Sequence, residues 1–368
     1  MCSRNHGTTS SDVARSESTT RSTTSTASFG VGDAVESVPA DIGARYRTER
    51  PEKRACSPSS QSIGRYRRCV ANTALTIGNF DGVHLGHAAL ILAARQRAGL
   101  AGRVLAMTFD PPPAVVLTPG APRRTLTTLP RRIELLESLG VDEVIVQTID
   151  RDWLEQSAED FIRGSVLPRG ASVIVEGPDF QFGKGRAGNI ETLVAAGKSH
   201  GFEVECVPTL RASLSNLEQV PVRSSQIRWL LMRGRVADAA RLLGRPWRME
   251  GTVNHGDRRG REIGYPTANL SGENLLLPAD GVYAGTAICG DGTFPAAVSI
   301  GSKPTFDGSL RVFETHLIGW DGPQDQYGWY LKVDLHRWLR DQVAFESPEM
   351  LRKQIARDVE AAASIEIA

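Results

Sequence analysis

The chain lacks any uninterrupted apolar run approaching the ~20 residues of a membrane-spanning helix, so no membrane association is expected. It has little cysteine. The five residues (Cys2, Cys56, Cys69, Cys206 and Cys289) form no CxxC pair, which argues against a disulfide scaffold or a zinc ribbon and points to free thiols in a cytoplasmic protein. It lacks an excess of either charge. With 43 Lys+Arg against 42 Asp+Glu the formal net charge is +1, so a dominant nucleic-acid-binding role is not expected. No GxxxxGK[ST] occurs, which removes a P-loop, and no internal repeat is visible. What is present is an ordinary globular composition, 40% hydrophobic and 23% charged over 368 residues. That is room for about two domains at roughly 150 residues each.

The first 70 or so residues stand apart. Fifteen of the first 30 are Ser or Thr, and Phe29 is the first aromatic residue. Such a segment cannot offset its ordering entropy, so residues 1–70 read as a disordered extension. Its Ser, Thr and Arg content resembles an organellar transit peptide, but a nonfunctional extension or a start codon assigned too early is the preferred explanation. Order is expected from Asn72, with a first domain over residues 71–246 and a second over 247–368. Strands are expected at Ala74–Ile77, Val104–Phe109, Val144–Val146 and Ser172–Glu176, alternating with helices at His87–Gln96 and Pro130–Leu139. That alternation predicts a parallel α/β sheet with ligands at the carboxyl ends of its strands, near Gly78 and Gly177. A helical run is expected over Ser224–Leu243. Beyond it, short β-branched segments punctuated by Gly and Pro predict an antiparallel barrel or sandwich, and Ser347-Pro348 predicts the start of a final helix.

Three joints in the first domain carry chemistry. The stretch GNFDGVHLGH (Gly78–His87) places His84 and His87 around Gly86 where a strand meets a helix. A helix N-terminus suits a phosphate, and imidazoles can donate to its oxygens as charge develops. The alternatives are an ordinary joint with incidental histidines, or a zinc site for which no further ligand cluster is visible. The second joint contains a literal GxGxxG at Gly183, Gly185 and Gly188. It reads as a decoy, because six residues separate it from the preceding strand and it is not the first βα unit. The third, Arg223-Ser224-Ser225-Gln226-Ile227-Arg228, sets hydroxyls and guanidinium groups at a helix start, either as an anion site or as a plain N-cap.

In the second domain, Pro266-Thr267-Ala268-Asn269 places a hydroxyl and an amide two residues apart, on one face of an extended segment. Both are hard oxygen donors suited to Mg2+ carrying nucleotide phosphates, although a polar turn would read the same way. Glu314 and His316 share a face of an alternating segment. Glu314 is either a solvent-facing charge on an edge strand or a base for a substrate hydroxyl.

Taken in order, GNFDGVHLGH, TFDPPP, GPDFQFGKGRAG and SSQIR resemble the adenylyltransferase half of bacterial bifunctional riboflavin kinase/FAD synthetase. GRxxGYPTAN, PADGVYAG, IGSKPTF and FETHL resemble its riboflavin kinase half. The resemblance spans residues ~72 to 366. It implies a Rossmann-like nucleotidyltransferase domain followed by a small antiparallel β-barrel with a C-terminal helix. It further implies phosphorylation of riboflavin to FMN and adenylylation of FMN to FAD, with ATP as co-substrate, Mg2+ as cofactor, and no nucleic-acid or membrane partner; a homo-oligomer is left open. Carried over residue by residue, Gly78, Phe80, His84, Gly86, His87, Asp179, Arg186, Ser225 and Arg228 would bind ATP in the first domain, with His84 and His87 on its phosphates. Gly256, Arg259, Gly260, Arg261, Thr267 and Asn269 would bind ATP in the second, Thr267 and Asn269 would hold Mg2+, and Glu314 would be the base. Tyr327 to Phe345 is the region to search for flavin contacts. Two departures stand out: Pro112 replaces the histidine of a family motif often written FDPHP, and Arg223 and Gln226 vary a motif often written SSTRIR.

Overall fold

The computed structural model describes residues 72–365 except 119, 121–123, 257–258, 272–273, 291, 306–307 and 323–325; the extension expected at residues 1–70 lies outside the described residues. Strands β1 (Thr73–Ile77), β2 (Arg103–Phe109), β3 (Glu143–Gln147), β4 (Val173–Glu176) and β5 (Glu203–Cys206) form a five-stranded sheet in the order β3-β2-β1-β4-β5. Every pairing in it is parallel. Successive strand residues serve opposite faces. Ala74, Val104, Ala106 and Val175 pack with Ile91 and Ala94 of helix α1 (Leu85–Ala98) and Leu136 of α2 (Leu129–Ser138). Leu75, Ile77, Leu105, Met107 and Ile174 pack on the other side with Phe161 and with Leu193 of α3 (Ile190–His200). Burial on both faces explains why these strands read as unbroken apolar runs. The strand order reverses between β1 and β4, which opens a crevice beyond their carboxyl ends.

A hairpin of β6 (Arg211–Ser213) and β7 (Gln219–Pro221) leads into two helices, α4 (Ser224–Leu231) and α5 (Val236–Leu243). This corrects the expectation of one helical run over Ser224–Leu243. Gly234, at φ 71, breaks the run in a turn packed against Trp338. A Cβ on Gly234 would lie 2.0 Å from the Trp338 ring. Gly234→Ala is therefore expected to destabilise the protein by about 1–3 kcal/mol through overpacking, plus about 1–2 kcal/mol for the left-handed backbone. Denaturant midpoints at constant slope measure this, and a change under about 0.5 kcal/mol would show that the ring yields freely.

The remaining strands close into an antiparallel barrel, β10-β11-β12-β9-β8-β13. They are β8 (Trp247–Asn254), β9 (Ala268–Leu270), β10 (Gly281–Cys289), β11 (Gly292–Thr305), β12 (Gly308–Leu317) and β13 (Tyr330–Arg340). Helix α6 (Pro348–Ala363) follows, with Ser347 accepting from the Met350 N–H as its N-cap. The expectation of a parallel α/β domain and then a barrel with a C-terminal helix matches this architecture. One apolar cluster runs through the barrel (Met249, Tyr283, Val298, Phe313, Leu335) and on into α4 and α5 (Ile227, Leu230, Leu231, Ala239, Leu242). The helices that follow the parallel domain are thus mounted on the barrel's core.

Candidate active sites

The crevice at β1 and β4 is a cavity of about 640 Å3. Gly78, Phe80, His84, Gly86, His87, Asp179 and Arg186 all line it. His84 is the N-cap of α1. Its Nδ1 accepts from the His87 N–H, and the His87 Nδ1 accepts from the His84 N–H, both at 3.3 Å. This reciprocal cap fixes the chemistry of the pair. A neutral ring whose Nδ1 accepts carries its proton on Nε2, so each ring offers an Nε2–H donor. The rings stack with centroids 3.6 Å apart. Burial, reinforced by the Arg245 charge, lowers the His84 pKa to about 3. Burial and the neighbouring His84, Arg132 and Arg245 also lower that of His87. Both rings are therefore neutral donors at neutral pH, ready for an incoming phosphate charge.

The loop before α1 is tightly held. The Asp81 carboxylate accepts from the Leu126 N–H at 2.8 Å and pairs with Arg228. The Arg228 side chain also donates to the Arg124 carbonyl. Arg223 and Ser224 reach the cavity wall, whereas Ser225 is exposed and, like Arg228, lies outside that wall. Ser224 donates to the Asp81 carbonyl at 2.8 Å. Asp179 pairs with Arg223 in an exposed ion pair, a weak contact that a ligand can displace. The glycines of the GxGxxG stretch form a short 3-10 turn closed by a Phe182–Gly188 bridge.

Sequence reasoning missed Glu176. It ends β4, lines the cavity and is 2% exposed. Its carboxyl accepts from the Ile77 N–H and, at 3.5 Å, from Thr76 Oγ1. An acidic residue closing an otherwise apolar strand (Val173-Ile174-Val175) was the available signal. Burial pushes its pKa well above the ordinary carboxylate range, against the opposing hydrogen bonds. A raised folded pKa means stability is fully present below the unfolded value and is lost as pH rises through the folded one. Glu176→Gln should therefore gain stability relative to wild type as pH rises above about 4.5. Melting temperatures at pH 5 and pH 8.5 check this; an equal difference at both would contradict it.

The barrel holds two adjoining cavities. One, of about 240 Å3, is lined by Gly256, Arg261, Thr267, Asn269, Tyr327 and Trp329 among others. The second, of about 300 Å3, lies under α6 and is lined by Gly260, Thr267, Glu314, Arg340, Leu351 and Ile355 among others. Thr267 and His316 line both, so they form the wall between them. Glu314 sits on β12, which pairs with β11 on one side and β9 on the other, so it is not on an edge strand. Its cross-strand partner on β9 is Asn269. A Cβ on Gly256 would fall 2.1 Å from the Asn269 amide, so only glycine permits this approach. His316 Nδ1 donates to the Pro266 carbonyl at 2.8 Å, tying β12 to the Pro266–Asn269 segment. Arg340 and Asp358 form a two-pronged pair that fastens α6 over the cavity. Arg259 opens a short helix, Arg259–Glu262, which also carries Gly260 and Arg261. The search region at Tyr327 to Phe345 divides, with Tyr327 and Trp329 on the first cavity and Arg340 on the second.

The family model for FAD synthetase matches residues 67–220, and that for riboflavin kinase matches residues 243–366. The bifunctional riboflavin kinase/FMN adenylyltransferase of Escherichia coli (strain K12) is 36% identical over 288 residues, 77% of this chain and 90% of that protein. The chain belongs to the bifunctional riboflavin kinase/FMN adenylyltransferase family. The member from Haemophilus influenzae is 36% identical over 304 residues, 80% of this chain and 94% of its own. A solved structure titled as a macrolide-efflux protein from Streptococcus pneumoniae has a TM-score of 0.72 at 29% identity, covering 81% of this chain and 95% of that one. Among the described residues no helix is long and apolar enough to cross a membrane. The parallel domain and the barrel thus fall within the segments matched by the family's two halves.

Proposed function

We propose that this chain phosphorylates riboflavin to FMN and adenylylates FMN to FAD, each time with ATP, and that it does so in the cytoplasm. The single observation that carries this reading is the pairing on one chain of two differently furnished pockets. One presents paired imidazole donors at a helix N-terminus beyond a parallel sheet, and the other a carboxylate beside neutral oxygen donors inside a barrel.

In the barrel, Glu314 takes the proton of the ribityl 5′-hydroxyl as its oxygen bonds to the γ-phosphorus of ATP and ADP leaves. Thr267 and Asn269 line one cavity and each carries a neutral hard oxygen, which fits Mg2+ held chiefly by phosphates and water. The ion supplies charge neutralisation on the phosphates. Arg259, Gly260 and Arg261 close over the nucleotide. Flavin under α6 and nucleotide in the neighbouring cavity would meet at Thr267.

In the first domain a phosphate oxygen of FMN attacks the α-phosphorus of ATP and pyrophosphate leaves. No covalent enzyme intermediate is needed, so positioning and charge stabilisation supply the rate. The Nε2–H groups of His84 and His87 donate to the phosphates, and Arg186 and Ser224 line the same cavity. Arg228 and Ser225 would have to turn from their present positions to join them. Incubation with riboflavin, ATP and Mg2+, followed by chromatography of the flavins, tests the proposal. FMN followed by FAD supports it, and FMN without FAD would confine activity to the barrel.

A further inference from the structure

The loop that carries His84 is strained. Phe80 has φ 45 and Val83 has φ 38, left-handed values that a β-branched valine strongly disfavours. Such a conformation persists only where its surroundings over-determine it. Part of that restraint is local: the Val83 N–H donates to the Phe80 carbonyl at 3.0 Å, and the Gly82 N–H to Thr127 Oγ1 at 3.3 Å. The rest arrives from the far end of the domain in sequence. Arg245 Nη1 donates to the Val83 carbonyl at 2.8 Å and to the Leu243 carbonyl at 3.1 Å, while Nη2 donates to the Gly82 carbonyl. One planar guanidinium thus bridges the two carbonyls just before His84 and the carboxyl end of α5.

Arg245 itself is anchored on the barrel side. It lies two residues before Trp247, the first residue of β8, whose side chain is 2% exposed in the barrel core. Trp247 Nε1 donates to the Leu126 carbonyl at 3.1 Å, and Leu126 is the residue whose N–H holds Asp81. The Gly82–Val83 turn is therefore clamped between groups that the barrel fixes.

We propose that Arg245 is a positioning residue for adenylyl transfer, through which the barrel sets the turn that aims His84 and His87. This rests on the assignment of the first-domain cavity to that reaction. It makes the kinase module part of the working geometry of the other site. An isolated parallel domain would lack both Arg245's anchor and the core on which α4 rests.

The test uses the full chain. Arg245→Ala should lower kcat for FAD formation from supplied FMN and ATP about 10- to 100-fold, the cost of a misplacement near 1 Å, with a smaller change in KM. Riboflavin phosphorylation by the same preparation should stay within about twofold, because Arg245 lines neither barrel cavity. Arg245→Lys keeps the charge but lacks the planar fork, so it should recover only part of the loss. If Arg245→Ala fails to fold, Arg245→Lys carries the same comparison. FAD formation unchanged in Arg245→Lys and Arg245→Ala, or both activities falling in parallel in a folded variant, would overturn the proposal. Wild-type protein that makes no FAD from FMN would instead overturn the assignment of the cavity.

Discussion

Glu314→Gln should lower riboflavin phosphorylation by about two to four orders of magnitude while leaving FAD formation from supplied FMN within about twofold. The substitution keeps the size and shape of the side chain but removes its charge and its capacity to take a proton, and exchanges one acceptor oxygen for an NH2 donor. Glu314 lies on the inner strand β12, opposite Asn269 and on the cavity under α6. On the proposed reading, the attacking ribityl hydroxyl must lose its proton to a group close by, and Glu314 is placed to take it. Flavin affinity, read from the quenching of riboflavin fluorescence, should change little. A Gln variant that keeps full turnover would place proton removal elsewhere, and one that loses both turnover and flavin binding would point to a binding role.

The second large effect is expected at the histidine pair. His84→Asn retains a side chain that caps helices well, so α1 should still form. It removes the stacked ring and its Nε2–H. Losing one such donor should cost about 10²- to 10³-fold in adenylyl transfer. His87→Ala should have an effect of the same order, since the two rings are held by one reciprocal cap. In either variant the kinase continues, so FMN should accumulate from riboflavin and ATP with FAD delayed in proportion. Equal FAD formation by wild type and both variants would remove the histidines from the reaction.

Much of the architecture was legible because burial leaves a signature in the order of residues. Strands β1, β2 and β4 are covered on both faces and so appear as short apolar runs. Helix α6 announced itself through Ser347 and Pro348. Strand β13 was not foreseen, although Leu331, Val333 and Leu335 are all fully buried at alternate positions. The intervening Lys332 and Asp334 are charged, so the alternation of a half-buried strand is present in the sequence and was overlooked. The break at Gly234 had a local signal in the glycine itself, but the contact with Trp338 that excludes a side chain there lies more than 100 positions away and is visible only in the fold.

The sites divide along the same line. Residues close together in sequence, such as His84 with His87 or Thr267 with Asn269, could be grouped by spacing alone. Glu176 could not, because its environment is built by burial against Ile77, some 100 positions away. Arg245 reads as an ordinary linker residue, and its partners Gly82 and Val83 lie more than 160 positions earlier. The helix-start motif and the family resemblance suggested Arg228 as a phosphate ligand, whereas tertiary packing sets it against Asp81.

The most direct measurement of the whole account follows which phosphorus–oxygen bond of ATP is cut at each step. ATP labelled at the γ-phosphorus should pass its label to FMN made from riboflavin. ATP labelled at the α-phosphorus should pass its label to FAD made from supplied FMN, with unlabelled pyrophosphate released. Label reaching neither flavin from either position would contradict two separate ATP-cleaving pockets in this chain.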